Sequence, residues 1–553
     1  MDTQKSIVFC LLAAIVLSCC SAASLRSESA PAIEGVEGET IDSIVIENRD
    51  IYDTTLPQYS SFVFRLANKL HWKTHPGVIR RELLFKVGDP FRAELAEEAA
   101  RNLRSSMALY DAWIETERMP NGKLLVRVVT IDQWSLSAGL DVSRTASETR
   151  WRFGPAERNL LGRNLFLDAT YTFEGKEQDH LRLSYVDRRF YGSRHRVVLD
   201  YSDDPINAYK WASLSRPFYD LGQRFSWWLT GAKTKMRHDS YSDSTLLAQV
   251  MISSDLASVG GAHRFGNRSQ QIVAGLQYDY VYQQVHDPVI VTLDPEEQQL
   301  ARSRIPVDTS SHFVRAAATF HQMEFVKLNR IDGFGYIEDF TLGPSAGLEL
   351  GRAWSRGGVL YDVVAAGGAH CAYFNSTLVA LVVDGRYWFD SADVLRRKAT
   401  LAGRIYNRAL SFATFAGRWQ FDYDRVDSST EPLSLSGQMG GMRGYDKHFA
   451  TGDRRAVAGL EVRLLTGLEL LSAQFGAVVF ADAGRTWKRD QPLSLDGFYA
   501  SGGLGLRVSL ERASKSAIIR IDLSYSERGG WQVTAGSMQY FPAWIGLSFL
   551  TSG

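Results

Sequence analysis

Met442-Arg443-Gly444-Tyr445 is the stretch of this chain whose residue types and spacing point most directly to a task. It is framed by Gly440-Gly441 on one side and by Gly452-Asp453-Arg454 on the other. Glycines open backbone conformations closed to other residues, so such a loop can turn back on itself. A guanidinium holds two hydrogen bonds in a fixed fork, and a single carboxylate on a wall is enough to pin the loop. Asp482, in Phe480-Ala481-Asp482-Ala483-Gly484, is a carboxylate of that kind. Taken alone, the same four residues also describe an exposed glycine-rich loop with a solvated arginine.

Other chemistry is weaker. Gly343-Pro344-Ser345-Ala346-Gly347 matches the G-x-S-x-G nucleophile elbow, which requires a strand before it and a helix after it. Here Leu348-Glu349-Leu350-Gly351-Arg352-Ala353-Trp354 continues as an alternating strand instead. His370 and Cys371 are adjacent, so on a strand they face opposite sides and cannot share a metal. No Cys-x-x-Cys, HExxH or phosphate-cradling glycine loop is present. The expectation is a protein without catalytic residues, cofactor or metal.

Stepping out to the elements around the loop, residues 1–23 form a secretory signal. Lys5 sits in its polar start, an apolar run follows from Ile7 to Cys19 broken only by Ser18, and Ser21-Ala22-Ala23 offers small residues for cleavage. Val16-Leu17-Ser18-Cys19 is a loose lipobox at Cys19. With Cys10, Cys19 and Cys20 removed, Cys371 is left without an internal disulfide partner, which excludes a small disulfide-stapled fold. The formal net charge is +0, giving no electrostatic case for nucleic acid. After the signal no run is long enough for a membrane helix. Yet the chain holds 23 Tyr, 28 Phe and 13 Trp, and 46 Gly against 15 Pro. A membrane β-barrel has this composition, because its polar lumen face hides its hydropathy.

Residues 24–40 are a polar leader, and residues 41–134 mix periods. Ile41 to Ile46 reads as a strand, Phe62 to Leu70 as a helix, and Pro76 opens another that ends before Gly88. Ala93 to Leu109 is the clearest helix, with Leu95, Ala99, Leu103 and Met107 spaced by four. Ala112 to Glu117 and Lys123 to Val129 pair around Asn121-Gly122, a type I′ turn signal. The order is β-α-α-β-β, a small α+β module. From residue 135 to 553, period-two alternation takes over, as in Leu165-Leu167-Ala169-Tyr171-Phe173, Leu276-Tyr278-Tyr280-Tyr282 and Ile519-Ile521-Leu523-Tyr525. At roughly 26 residues per strand with its connection, this region makes a transmembrane antiparallel β-barrel of about 16 strands.

The module resembles a POTRA domain, and module plus barrel resemble the BamA/TamA superfamily of outer-membrane assembly and translocation proteins. The likeness rests on Phe85-Lys86-Val87-Gly88-Asp89-Pro90-Phe91 between the main helices and on Val126-Arg127-Val128-Val129-Thr130 closing the module. Glu157-Arg158-Asn159-Leu160-Leu161-Gly162 matches the Asn-Leu-x-Gly turn near the barrel start, and Met442-Arg443-Gly444-Tyr445 the Val-Arg-Gly-Phe/Tyr loop with Met for Val. The resemblance implies that Arg443 folds into the lumen and pairs with Asp482, with Phe480 and Gly484 completing the wall motif. Thr534 to Phe541 fits the family's insertion signal, carried by Gly536, Tyr540 and Phe541, except at Gln539. Departures are the single module, about 20 extra residues from Asp50 to Thr74, and a chain that continues past Phe541.

By that resemblance the protein belongs in the outer membrane of a Gram-negative-type bacterium, with its module in the periplasm. It would assist insertion or translocation of client proteins, the module binding client or partner by β-augmentation. Its partners would be outer-membrane lipids, unfolded or secreted clients and periplasmic proteins. The working surface would be the seam between first and last strands, about residues 135–143 and 531–541. Two alternatives keep the architecture: a passive pore or structural barrel, and a two-partner-type transporter for one secreted protein. A wet lumen would hold the cost of breaking the Arg443–Asp482 pair to about 1–3 kcal/mol, below that of a fully buried pair.

Overall fold

The structure, a computed structural model, describes residues 36–541 apart from 145–148, 175–178, 243–244, 391–392, 427–432, 436–440, 447–448, 490 and 516–517. The expected signal, Cys19 and most of the leader lie outside the described residues.

The N-terminal module runs β1 (Ile41–Arg49), α1 (Phe62–Leu70), α2 (Pro76–Glu82), α3 (Ala93–Arg104), β2 (Leu109–Arg118) and β3 (Leu124–Asp132). Its sheet has the order β1-β3-β2, with β1 parallel and β2 antiparallel to β3. A parallel pair needs a crossover, and the helices supply it. The α3 helix lays Ala96, Ala99 and Leu103 on Ile41, Leu109, Val126 and Val128. It stops at Arg104 rather than reaching Leu109, which opens β2. Ser106 breaks the helix, its hydroxyl accepting from Ala108 N–H at 3.1 Å. The β2–β3 turn is also wider than expected. Arg118 pairs with Leu124, and of Asn121-Gly122 only Gly122 takes a left-handed φ, +80°, so the turn is not type I′.

Most of the remaining described chain forms one closed antiparallel barrel in which Gly530–Ser537 neighbours Leu136–Arg144. Thr309–Gln322 and Glu324–Leu328 act as one bent strand, since both pair with Glu338–Ser355. The wall therefore has about 20 strands, more than the 16 expected. A uniform allowance per strand was wrong for the start of the wall, where six short strands fit into residues 136–216. Period-two patterning is clearest in Ile518–Ser526, where Ile519, Ile521, Leu523 and Tyr525 point outward between buried neighbours. No helix among the described residues is long and apolar enough to cross a membrane.

Wall height is uneven. Strands His180–Asp187, Arg196–Ser202 and Gly530–Ser537 have 8, 7 and 8 residues. Phe225–Ser242, Thr245–Gly266 and Gln270–Ile290 have 18, 22 and 21. At about 3.3 Å per residue and 40° tilt, the short strands rise about 20 Å and the long ones about 50 Å. The wall is low on both sides of the first–last strand junction and tall across from it.

The module sits across one mouth of the barrel, held by the turns on that rim. Arg104 forks onto Asp339 at 2.7 and 2.6 Å, and Arg189 onto Glu82 at 2.8 and 2.6 Å. Arg268 meets Glu98, and Lys327 meets Glu97 at 2.6 Å. The extra segment after β1 docks too, Tyr52 Oη lying 2.8 Å from Ser472 Oγ. Asn159 of the Asn-Leu-x-Gly turn donates to Trp72 O at 2.7 Å and Thr74 Oγ1 at 2.9 Å. Gly162, at φ +69°, leaves no room for a side chain: a Cβ there would lie 2.4 Å from Lys73 O.

Candidate functional site

Strand Ala413–Val426 leads away from the module, Arg454–Leu470 returns, and the connection between them folds into the lumen. Leu433–Ser434 pairs with Thr451–Gly452 at its neck, and Met442 N–H donates to Leu435 O at 2.7 Å. Gly444 takes φ +81° and receives the Ser526 hydroxyl on its carbonyl. Gly484 gives the loop its place on the wall. A Cβ there would lie 2.8 Å from Leu435 Cδ2 and from Met442 Sδ. Tyr445 anchors the far side, its hydroxyl donating to Ala500 O at 2.7 Å.

Arg443 is the hub. Its Nε donates to Asp482 Oδ2 at 2.7 Å and its Nη2 to Oδ1 at 3.0 Å, the expected fork. Its backbone N–H reaches the same carboxylate at 3.3 Å. Nη1 donates to Glu461 Oε1 at 2.7 Å and lies 3.8 Å from Asp522 Oδ2. The guanidinium plane stacks between Phe480, 3.6 Å from its centroid, and Tyr540, at 4.2 Å. The site is dry: the Arg443 side chain is 1% exposed and its three carboxylate partners 0%. The expected wet-lumen discount on this pair is therefore wrong.

Two of the three carboxylates are shared with further arginines. Glu461 accepts from Arg463 at 2.9 Å, and Asp522 from Arg507 at 2.6 Å. Arg418 donates to Gly441 O and lies over the rings of Tyr540 and Phe541. Sequence reasoning found Arg443, Asp482, Phe480 and Gly484, which the fold brings together, and missed Glu461, Asp522, Arg418 and Arg463. Their signal was a charge on the inward side of an alternating strand. A water-filled barrel would show the same signal at many positions, so pattern alone could not single them out.

The expected insertion signal divides. Gly536 is on the last strand, but that strand ends at Ser537, and Tyr540 and Phe541 are not part of it. Met538 turns at φ +65° and the chain enters the lumen. Gln539 accepts from Arg507 Nε at 3.2 Å, and Tyr540 Oη donates to Gly441 O at 2.9 Å. Phe541 O accepts from Arg463 and from Tyr406 Oη, both at 3.1 Å. The Phe541 ring packs on Leu328, Ile331 and Tyr406. The reason is local supply: buried guanidinium groups of the wall donate to this segment and hold it in the lumen. Ser345 lies within strand Glu338–Ser355, without the helix a nucleophile elbow needs.

No protein-family model and no curated protein matches the sequence. Solved structures that align with it include BamA from Haemophilus ducreyi lacking POTRA domains 1–3, at 12% identity over 90% of this chain and 84% of that one, TM-score 0.38. CdiB from Acinetobacter baumannii aligns at 12% identity over 90% and 73%, TM-score 0.42. CdiB from Escherichia coli aligns at 11% identity over 97% and 96%, TM-score 0.43. At these values the likeness is one of outline.

Proposed function

We propose that this chain is an outer-membrane β-barrel that helps client proteins insert into or cross that membrane, with residues 41–134 as a POTRA-like client-binding module. The observation that carries the reading is the infolded Met442–Tyr445 loop, fixed by Arg443 to Asp482 and Glu461. An arginine so heavily partnered and buried is a device for holding a loop in a set place. Segments folded into the lumen count against an open passive pore. The loop, Tyr540-Phe541 and the segment around Ile331 meet in the lumen, where Arg463 bonds both Ile331 O and Phe541 O, and the module covers one mouth.

The wall supports the same reading. Strands rising about 20 Å fall short of the ~25 Å apolar band of such barrels, so lipid beside the first–last strand junction is thinned. Both β1 and β2 are sheet edges, each pairing only with β3 among the described residues. An extended client strand could add to either by main-chain hydrogen bonds.

The test is outer-membrane proteomics on cells that carry the chain lacking residues 41–134. Loss of a set of barrel or secreted proteins, with the truncated barrel still heat-modifiable on gels, is expected. An unchanged proteome would move the assignment to a structural barrel.

A further inference from the structure

The rim turn after His180–Asp187 carries an unusual charge. Arg188, Arg189 and Arg194 lie on it and Arg196 begins the next strand. These four arginines, with residues at the end of α3 and on the turn holding Tyr219, line a cavity of about 270 Å³ in which Glu82 is the single carboxylate among the described residues. Arg189 is committed to Glu82, and Arg194 reaches Asp220 at 3.2 Å. Arg188 differs: its Nη1 donates to a neutral carbonyl, Ser105 O, at 3.0 Å. Burial pushes its pKa down, as expected of a guanidinium drawn from water against one remote carboxylate.

The same turn also carries two aromatic rings. Phe190 is 36% exposed and Tyr191 93%, their rings edge-on at 4.6 Å. Exposed aromatic rings on a barrel rim sit at headgroup level. One turn thus carries exposed aromatic rings and contributes to an arginine-lined cavity. Guanidinium forks match phosphate oxygens as they match carboxylates.

We propose that this cavity binds the phosphate of an anionic phospholipid headgroup from the leaflet on the module's side. The lipid source rests on the outer-membrane reading above, whereas the phosphate chemistry rests on the cavity alone. A bound headgroup would bridge the rim turn to the end of α3 and so couple the module's docking to the membrane surface.

Native mass spectrometry of the full chain in detergent, titrated with phosphatidylglycerol or phosphatidylcholine, tests it. Phosphatidylglycerol should be retained about tenfold more tightly, the effect of one to two arginines near an anionic headgroup. R188Q/R196Q should lose that preference while keeping heat-modifiable mobility. F190S/Y191S, which alters only exposed rings, should weaken lipid retention severalfold and guards against a misfolded arginine variant. Equal preference in wild type and R188Q/R196Q would overturn the site. Displacement of phosphatidylglycerol by equimolar inorganic phosphate would overturn the lipid source in favour of a free anion. A wild-type chain without heat-modifiable mobility would instead strike the membrane reading, so the two failures are distinguishable.

Discussion

Two sets of ion pairs hold this molecule together, and they differ in water. In the lumen, Arg443 and Asp482 are 1% and 0% exposed. Across the module's seam, Arg104 and Asp339 are 2% and 19% exposed, Arg268 and Glu98 29% and 4%, and Lys327 and Glu97 30% and 37%. A buried charge left without its partner is costly, whereas an exposed pair is worth little. The loop is therefore the more firmly held of the two, and the module, whose pairs range from Arg189–Glu82 at 13% and 11% exposed to Lys327–Glu97, the less. On the proposed function, the part that moves to admit a client is then the module over the mouth, with the loop a fixed wall feature.

The largest effect should come from Arg443→Ala, which strands the buried Asp482 carboxylate and takes one of its two arginines from Glu461. About 3–5 kcal/mol of barrel stability should go, seen as a lowered urea midpoint or loss of the heat-modifiable band. Arg443→Lys keeps the charge but not the fork, and should stay clearly defective. Should Arg443→Ala unfold within about 1 kcal/mol of wild type, the contrast between the regions collapses.

Arg104→Ala comes next, since it loses two bonds to Asp339 and one to Ala112 O. A loss of about 1–3 kcal/mol is expected, and in module docking rather than barrel integrity. Limited proteolysis should cut residues 41–132 faster while the barrel band is unchanged. Barrel unfolding in parallel would mean that the seam is not separable.

Within the module, His71 supplies a pH test. Burial alone would lower its pKa, but Asp132 at 3.2 Å and the Asn68 carbonyl at 2.8 Å raise it above its ordinary value. A raised folded pKa gives stability fully present below the unfolded value, near 6.5, and lost as pH rises through the folded one. Protease resistance of the module should thus fall as pH rises above the ordinary histidine value, and His71→Gln should flatten the profile. A profile rising with pH would reverse the assigned sign. The smallest effect belongs to Lys327→Ala, where an exposed pair predicts about 0–1 kcal/mol; a larger loss would show the seam to be as tightly held as the lumen.

Much of this was legible in residue order because local rules governed it. Pro76, the four-residue spacing up to Leu103 and the alternation at Ile519–Tyr525 each specify an element through one period. The Arg443–Asp482 pair was legible through the resemblance of the 442–445 loop and the 480–484 wall segment to family motifs, since the loop residues alone also describe a solvated arginine. Strand number was not, since 8-residue and 21-residue strands carry the same period. Nor was the course of Tyr540-Phe541: the residues that draw it inward, Arg463 and Tyr406, lie 78 and 135 positions away. Asn159 was recognisable as a turn residue, but its bonds to Trp72 and Thr74 depend on how the module is seated.

The central claim is that Arg443 of an infolded loop is pinned by Asp482, and a double-mutant cycle on that pair tests it most directly. With R443A, D482A and R443A/D482A compared by urea unfolding in one detergent, the two losses should fall short of additivity by about 1–3 kcal/mol. Losses that sum to within about 0.5 kcal/mol would mean that the two side chains do not touch, and the loop would not be where the account places it.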